Sequence, residues 1–137
     1  MPTPRSQFPS APRIPPDPLP THAICRSEIV QCEVAADIAS IFCGVPVEEI
    51  LTPHRARSAA ARARHVAMYL AHVAFQLPLG DVARGFARDR TSIAHGVARI
   101  EDARDDKVFD GLLSQMEALA QSCRRLAGRG IALPGER

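Results

Sequence analysis

The stretch from Phe86 to His95 is the feature that most restricts the fold of this chain. A short polar corner interrupts an apolar pattern there and leads into a segment with helical periodicity. At 100° per residue that segment has two distinct sides. Its polar side contains Thr91, Ser92, His95 and Arg99. Its apolar side contains Ile93, Val97 and Ile100. One side can therefore pack in a core while the other stays exposed.

The segments on either side of this corner predict a helix-turn-helix. The first helix spans residues 79–86, and the second runs from Thr91 to about Arg104. We expect Gly85 and the Ala87-Arg88 corner to form the turn and the Thr91 hydroxyl to cap the second helix.

Helical spacing also governs the remaining apolar residues, and no segment alternates as a strand would. We predict a helix over 27–43 that Ser27 caps and Gly44 ends, and a short turn that begins with Pro46 as its first helical residue. Longer helices are predicted over 58–76 and 107–127. The first of them has an inner stripe of Val66, Leu70, Val73 and Leu77. The second has an inner stripe of Phe109, Leu112, Met116, Leu119, Cys123 and Leu126. The expected fold is all-α, a compact bundle of five to six helices.

Composition divides the chain into three parts. Eight of the first twenty residues are proline, so residues 1–20 are predicted to be a disordered tail. Residues 21–128 would form the helical domain and 129–137 a flexible C-terminus. The chain shows no secretory signal and no run of the roughly 18 apolar residues that span a bilayer. A cytoplasmic protein without a membrane partner is therefore expected.

The positive charge of the chain is concentrated in its middle. The net charge is only +2, but no acidic residue occurs from Ile50 to Gly80. That segment contains Arg55, Arg57, Arg62 and Arg64. We predict a local basic patch, with a merely solvated helix face as the alternative.

Metal, nucleotide and catalytic sites are not predicted. The four cysteines show no paired spacing, and Cys32, Cys43 and Cys123 fall where buried thiols are expected. There is no GxxxxGK[ST] phosphate-binding loop, and no nucleophile, base and orienting residue occur at a telling spacing. We therefore expect no cofactor and no enzyme activity.

Three blocks of sequence carry a family resemblance. They are Ala61–Leu70, Leu79–Phe86 and Arg88–His95, followed by Arg99-Ile100-Glu101. In order and spacing they resemble the C-terminal DNA-binding domain of the bacterial replication initiator DnaA, over roughly residues 28 to 120. The resemblance implies an all-helical helix-turn-helix module that binds double-stranded DNA, here standing alone without the initiator's ATPase.

The resemblance also implies roles for individual residues. Base readout is expected from Asp89, Arg90, Thr91 and Ser92. Contacts to phosphate or the minor groove are expected from Arg55, Arg57, Arg62, Arg64, Arg88 and His95. Both Arg55 and Arg57 are candidates for an arginine that enters the minor groove. The family usually has histidine where this chain has Arg90, and the turn before it is one residue shorter here.

Asp89 has two interpretations at this point. Its carboxylate can accept a hydrogen bond from cytosine N4 in the major groove. It can equally cap the following helix or pair with Arg88.

The predicted function is sequence-specific binding of double-stranded DNA by a nucleoid-associated bacterial protein. Transcriptional regulation or modulation of initiator-type sites would follow from it. The alternative is a protein interaction module that keeps the helix-turn-helix as a scaffold and docks a protein partner through residues 1–20.

Overall fold

The computed structural model describes residues 26–52 and 58–128. These residues contain no strand and form six α-helices: α1 (Arg26–Cys43), α2 (Val47–Leu51), α3 (Ser58–Tyr69), α4 (Leu79–Phe86), α5 (Arg90–Ala103) and α6 (Lys107–Gly128). The predicted all-α fold of five to six helices is confirmed for this part of the chain. The predicted tail over 1–20 and C-terminus over 129–137 lie outside the described residues, as do Cys25, Arg55 and Arg57.

Helix α3 forms the centre of the fold and packs against α1, α2 and α5. Seven of its 12 residues are buried. Three of these are alanines, Ala60, Ala63 and Ala67, with at most 2% of their surface exposed. Helices approach most closely where the contacting side chains are small. The alanine content of α3 therefore allows three neighbours to pack around it.

The end of α3 differs from the helix predicted over 58–76. After Tyr69 the chain widens into a π-helical turn over Leu70–Ala74, in which the Phe75 amide donates to the Leu70 carbonyl at 3.0 Å. The wider turn changes which residues face the core. Val73, predicted to face inward, is 37% exposed, whereas Ala74 is buried.

The predicted inner stripe of α6 is also partly wrong, and α1 exposes a large apolar residue at a helically spaced position. Ile41 in α1 is 74% exposed. In α6 the core residues are Leu113, Met116 and Ala120, while Leu112, Leu119 and Leu126 are 40–48% exposed. Apolar residues occupy more than one side of α6, so periodicity alone does not decide which side is covered. The packing of α6 against α1 and the π-helical turn makes that choice.

Three helix starts differ from prediction by one or two positions. Ser27 lies inside α1 rather than capping it, and Pro46 is the N-cap of α2 rather than its first residue. The second helix of the helix-turn-helix begins at Arg90, so Thr91 lies within it, and its N-cap is Asp89.

The turn between α4 and α5 is built around a left-handed alanine. Gly85, predicted to form part of the turn, belongs to α4. Ala87 instead adopts φ 55° and ψ 47°, and the Arg88 amide donates to the Ala83 carbonyl at 2.9 Å. This is the hydrogen bond of a Schellman motif, which usually has glycine at the left-handed position. The predicted helix-turn-helix is thus confirmed, with its corner at Ala87.

The corner between α5 and α6 is held by Arg104. Its guanidinium donates to the Asp110 carboxylate at 2.5 Å, to the Tyr69 hydroxyl at 2.6 Å and to the Glu117 carboxylate at 2.8 Å. Because Tyr69 belongs to α3 and the two carboxylates to α6, this group ties both helices to the end of α5.

Two further findings concern membranes and metals. None of the described helices is long and apolar enough to cross a bilayer. No group of three or more histidine, cysteine, aspartate or glutamate side chains in the described ranges could hold a metal ion. Cys32 is buried as predicted, and burial raises the pKa of its thiol to about 12. Cys43 and Cys123 are half-buried free thiols.

Candidate nucleic-acid interface

The first turn of α5 is organised by Asp89. Its backbone has the extended conformation of an N-cap, and its carboxylate accepts hydrogen bonds from the Ser92 amide at 3.4 Å and from the Ser92 hydroxyl at 2.6 Å. These bonds hold the pKa of the Asp89 carboxyl below its ordinary value. Of the two interpretations of Asp89, the structure contains the helix cap. Each carboxylate oxygen has a further lone pair, so base readout stays a prediction.

The amphipathic pattern predicted for α5 is confirmed. Ile93, Val97 and Ile100 are at most 7% exposed. The opposite side is polar, and Arg90, Thr91, His95 and Arg99 are exposed on it. The side chains from which base readout is predicted therefore lie at the accessible start of a helix whose other side is anchored in the core.

Two clefts run between α3 and α5. The smaller, of about 320 Å³, lies beside the first turn of α5 and is lined by Arg64, His65, Met68, Arg88, Thr91, Ser92 and His95. The larger, of about 740 Å³, lies between the start of α3 and the second half of α5, and its lining includes Arg62, His65, Arg99 and Asp102. His65 lines both clefts.

The electrostatics at His65 are those of a cationic surface. Burial lowers the pKa of His65 below its ordinary 6.5, and the neighbouring Arg99, Arg64, His95 and Arg88 lower it further. Nearby positive charges lower the pKa of a histidine because they disfavour its protonated, positively charged form. Residues from α3, the turn and α5 thus bring their positive charges to one place.

Arg64 and Arg88 also hold α2 in position. Arg64 is 5% exposed and donates to the carbonyls of Ile50 and Glu49, both at 2.9 Å. Arg88 donates to the Thr52 carbonyl at 3.2 Å. The last carbonyls of a helix have no partner within it and attract cations. The phosphate contacts predicted for both arginines stay predictions, and what the structure adds is this anchoring role.

The remaining predicted contact residues are placed differently. Arg62 is exposed, and its guanidinium lies 4.4 Å from the centre of the Phe109 ring, an arrangement that favours a cation. Arg55 and Arg57 lie outside the described residues, so the contacts predicted for them stay predictions.

Sequence reasoning missed Gly96 and His65. A Cβ atom on Gly96 would come within 2.8 Å of His65 Cδ2 and 3.2 Å of Met68 Sδ. Helix α5 therefore crosses α3 at a position where α5 has no side chain. A glycine in the middle of a predicted helix was the available signal, because glycine is unfavourable there without a packing reason.

Comparison with known proteins gives a consistent result. Residues 33–100 match the family described as the bacterial dnaA protein helix-turn-helix. The chromosomal replication initiator protein DnaA of Ruegeria sp. strain TM1040 is 38% identical over 85 residues, which are 61% of this chain and 17% of that protein. The DnaA of Anaplasma marginale strain St. Maries is 39% identical over 86 residues, 62% of this chain and 17% of that protein. The chain therefore spans less than a fifth of the length of these relatives.

Solved structures agree with the sequence comparison. A crystal structure of a DNA replication initiation factor has a TM-score of 0.63 at 28% identity, over 71% of this chain and 30% of the other. A replication initiator DnaA bound to AMPPCP and single-stranded DNA has a TM-score of 0.62 at 26% identity, with the same coverage.

Proposed function

Because this chain belongs to the bacterial DnaA helix-turn-helix family, we propose that it binds double-stranded DNA and reads base sequence in the major groove with the first turn of α5. The observation that carries the proposal is the convergence of basic residues around His65: Arg64, Arg88 and His95 line the cleft beside that turn, and Arg99 lines the neighbouring cleft. Such a surface attracts the phosphate backbone, which supplies much of the affinity for DNA.

The solvent exposure of each side chain in the first turn of α5 determines which role we propose for it. Arg90 and Thr91 are exposed at the start of α5 and are the main candidates for base contacts, since arginine pairs with guanine O6 and N7 and the threonine methyl can contact thymine. Asp89 and Ser92 are hydrogen-bonded to each other. They would read a base with the oxygen lone pairs that these hydrogen bonds do not use.

Phosphate contacts are proposed for basic side chains that border the two clefts. Arg62, Arg88 and His95 border the two clefts and can reach a backbone that follows them. Arg64 would act by holding α2, and by electrostatic attraction from its nearly buried guanidinium. One of Arg55 and Arg57 would enter the minor groove from the segment after Thr52.

The biological role we propose is non-catalytic. The comparisons match this chain to the helix-turn-helix part of much longer initiator proteins. A helix-turn-helix of this kind is suited to regulate transcription, or to compete for initiator-type sites on the bacterial nucleoid.

A selection experiment tests sequence-specific binding. The full chain is used to enrich random duplex DNA, and affinity for the selected site is measured by fluorescence anisotropy at several salt concentrations. We expect one motif to be enriched and the affinity to fall steeply with salt, by about 0.9 log units per phosphate contact for each tenfold rise in salt. Arg90→Ala should cost about 1–3 kcal/mol at the selected site and much less on random DNA.

Lys107→Gln is the matched control. Lys107 is exposed and follows α5, a helix of 14 residues and thus about 21 Å long, so its charge lies roughly two screening lengths from the first turn. Its removal should change affinity by less than about twofold. Failure to enrich any motif, or equal losses for Arg90→Ala on selected and random DNA, would contradict base readout by α5.

A further inference from the structure

One side of α6 exposes a line of apolar residues. Val108 is 77% exposed, and Leu112, Leu119 and Leu126 are 40%, 41% and 48% exposed. They are separated by 4, 7 and 7 positions, so helix geometry places them along one side, with Gln115 and Ser122 between them. We call these four residues the α6 stripe. It is about 27 Å long, at 1.5 Å per residue.

The α6 stripe is separate from the side of α6 that packs in the core. The core of the domain is reached by Leu113, Met116 and Ala120, each at most 1% exposed. The stripe residues repeat at the heptad spacing by which two helices pack along each other. Its geometry therefore suits another helix.

The charges at the two ends of α6 indicate that the partner helix is α6 of a second copy of this chain. Asp105 and Asp106 are exposed just before its first residue, Lys107, which offsets one of their two charges, and Arg124 and Arg125 are exposed near its end. In an antiparallel pair of α6 helices, the acidic end of each would lie beside the basic end of the other. A parallel pair would bring like charges together at both ends.

The register follows from the stripe itself. When Val108 of one copy lies opposite Leu126 of the other, Leu112 lies opposite Ser122 and Gln115 opposite Leu119, so apolar pairs form at both ends and each inner leucine faces a polar side chain. Arg125 then lies within about one helical turn of Asp105 in the other copy. This register therefore combines an apolar pair at each end of the contact with opposite charges close to it.

We propose that the α6 stripe is the interface of an antiparallel dimer formed by a second copy of this chain. The interface uses none of the residues proposed to contact DNA. Its failure would leave the proposed function intact, and the reverse also holds.

Sedimentation equilibrium of the full chain tests the proposal. We expect a concentration-dependent dimer. Leu119→Glu should raise its dissociation constant by about tenfold or more, because the contact would desolvate an unpaired carboxylate. Gln121→Glu is the control, since it adds the same charge at an exposed position of α6 about 160° from Leu119. Circular dichroism would establish that both variants remain folded.

A charge exchange tests the orientation. Arg125→Asp should weaken the dimer, and adding Asp105→Arg should restore it, because antiparallel helices bring these two positions together. A monomer at all concentrations, or a dimer that Leu119→Glu leaves unchanged, would overturn the proposal. So would a monomer that dimerises only after deletion of residues 1–25, since the stripe would then be covered by that segment. Absence of rescue by the double exchange would refute the antiparallel arrangement.

Discussion

Replacing Gly96 by alanine tests how closely α5 packs against α3. The new Cβ would lie 2.8 Å from Cδ2 and 3.3 Å from Cγ of the His65 ring, and 3.2 Å from Met68 Sδ. Real Cβ contacts are almost never as short as 2.8 Å, so either the His65 ring or α5 must move.

Two effects of opposite sign set the magnitude. Overpacking of a well-packed contact costs about 1–3 kcal/mol. Alanine in place of glycine inside a helix favours folding by about 1 kcal/mol. Because the His65 ring is half-buried and can turn partly toward solvent, we expect a net destabilisation of about 1 kcal/mol for Gly96→Ala.

Gly111→Ala provides the matched control. Gly111 lies inside α6, and a Cβ there would meet nothing within 4 Å. Only the helix preference remains, so this substitution should stabilise the chain by about 0.5–1 kcal/mol. The effects on the unfolded chain are the same for both substitutions. The two variants should therefore differ by about 1.5–2 kcal/mol, or roughly 6–16 °C in Tm for a domain of this size.

Urea unfolding followed by circular dichroism measures this difference. Combining Gly96→Ala with His65→Ala should remove the overpacking, and the double-mutant cycle should return a favourable coupling of about 1–2 kcal/mol. If Gly96→Ala stabilises the chain as much as Gly111→Ala does, α5 is not held against His65 and the reasoning fails.

Two further predictions concern titrating groups near the recognition helix. The pKa of folded His65 lies below its ordinary 6.5, so the stability that its neutral form contributes is present above about pH 6.5 and is lost as the pH falls through the lower folded-state pKa. The free energy of unfolding should therefore decline less on acidification in His65→Gln than in the unmodified chain. An equal decline in both would contradict this. Asp89→Asn should keep the N-cap and leave the urea midpoint nearly unchanged, since asparagine caps as well as aspartate. If the carboxylate also reads a base, a DNA selection repeated with this variant should show a changed preference at one base pair. An unchanged motif would limit Asp89 to capping.

The sequence predicted the helix-turn-helix from local information. Periodicity identified the buried residues of α5, and the polar corner placed the turn within a residue or two. Capping was less well predicted. Asp89, Thr91 and Ser92 can all cap a helix, and the choice among them depends on where the left-handed Ala87 starts the turn.

Charge along the sequence predicted a basic patch but not its organisation. The structure places Arg64 at 5% exposure with its guanidinium on the carbonyls that end α2, and Arg88 on the next one along. These contacts join residues 14 to 36 positions apart, and a linear pattern contains no distances between such residues. The sequence could not predict that His65 lines both clefts, for the same reason.

The amino-acid sequence by itself determined the set of helices and the division of α5 into a polar and an apolar side, because both follow from repeats of three to four residues. What only the tertiary structure decided is which side of an apolar helix is covered. Leu112 and Leu119 are as apolar as Leu113, yet they are exposed and Leu113 is buried. The difference arises because packing is a property of neighbouring helices and not of the helix alone. Gly96 shows the same principle, since its missing side chain matters only where α5 crosses His65.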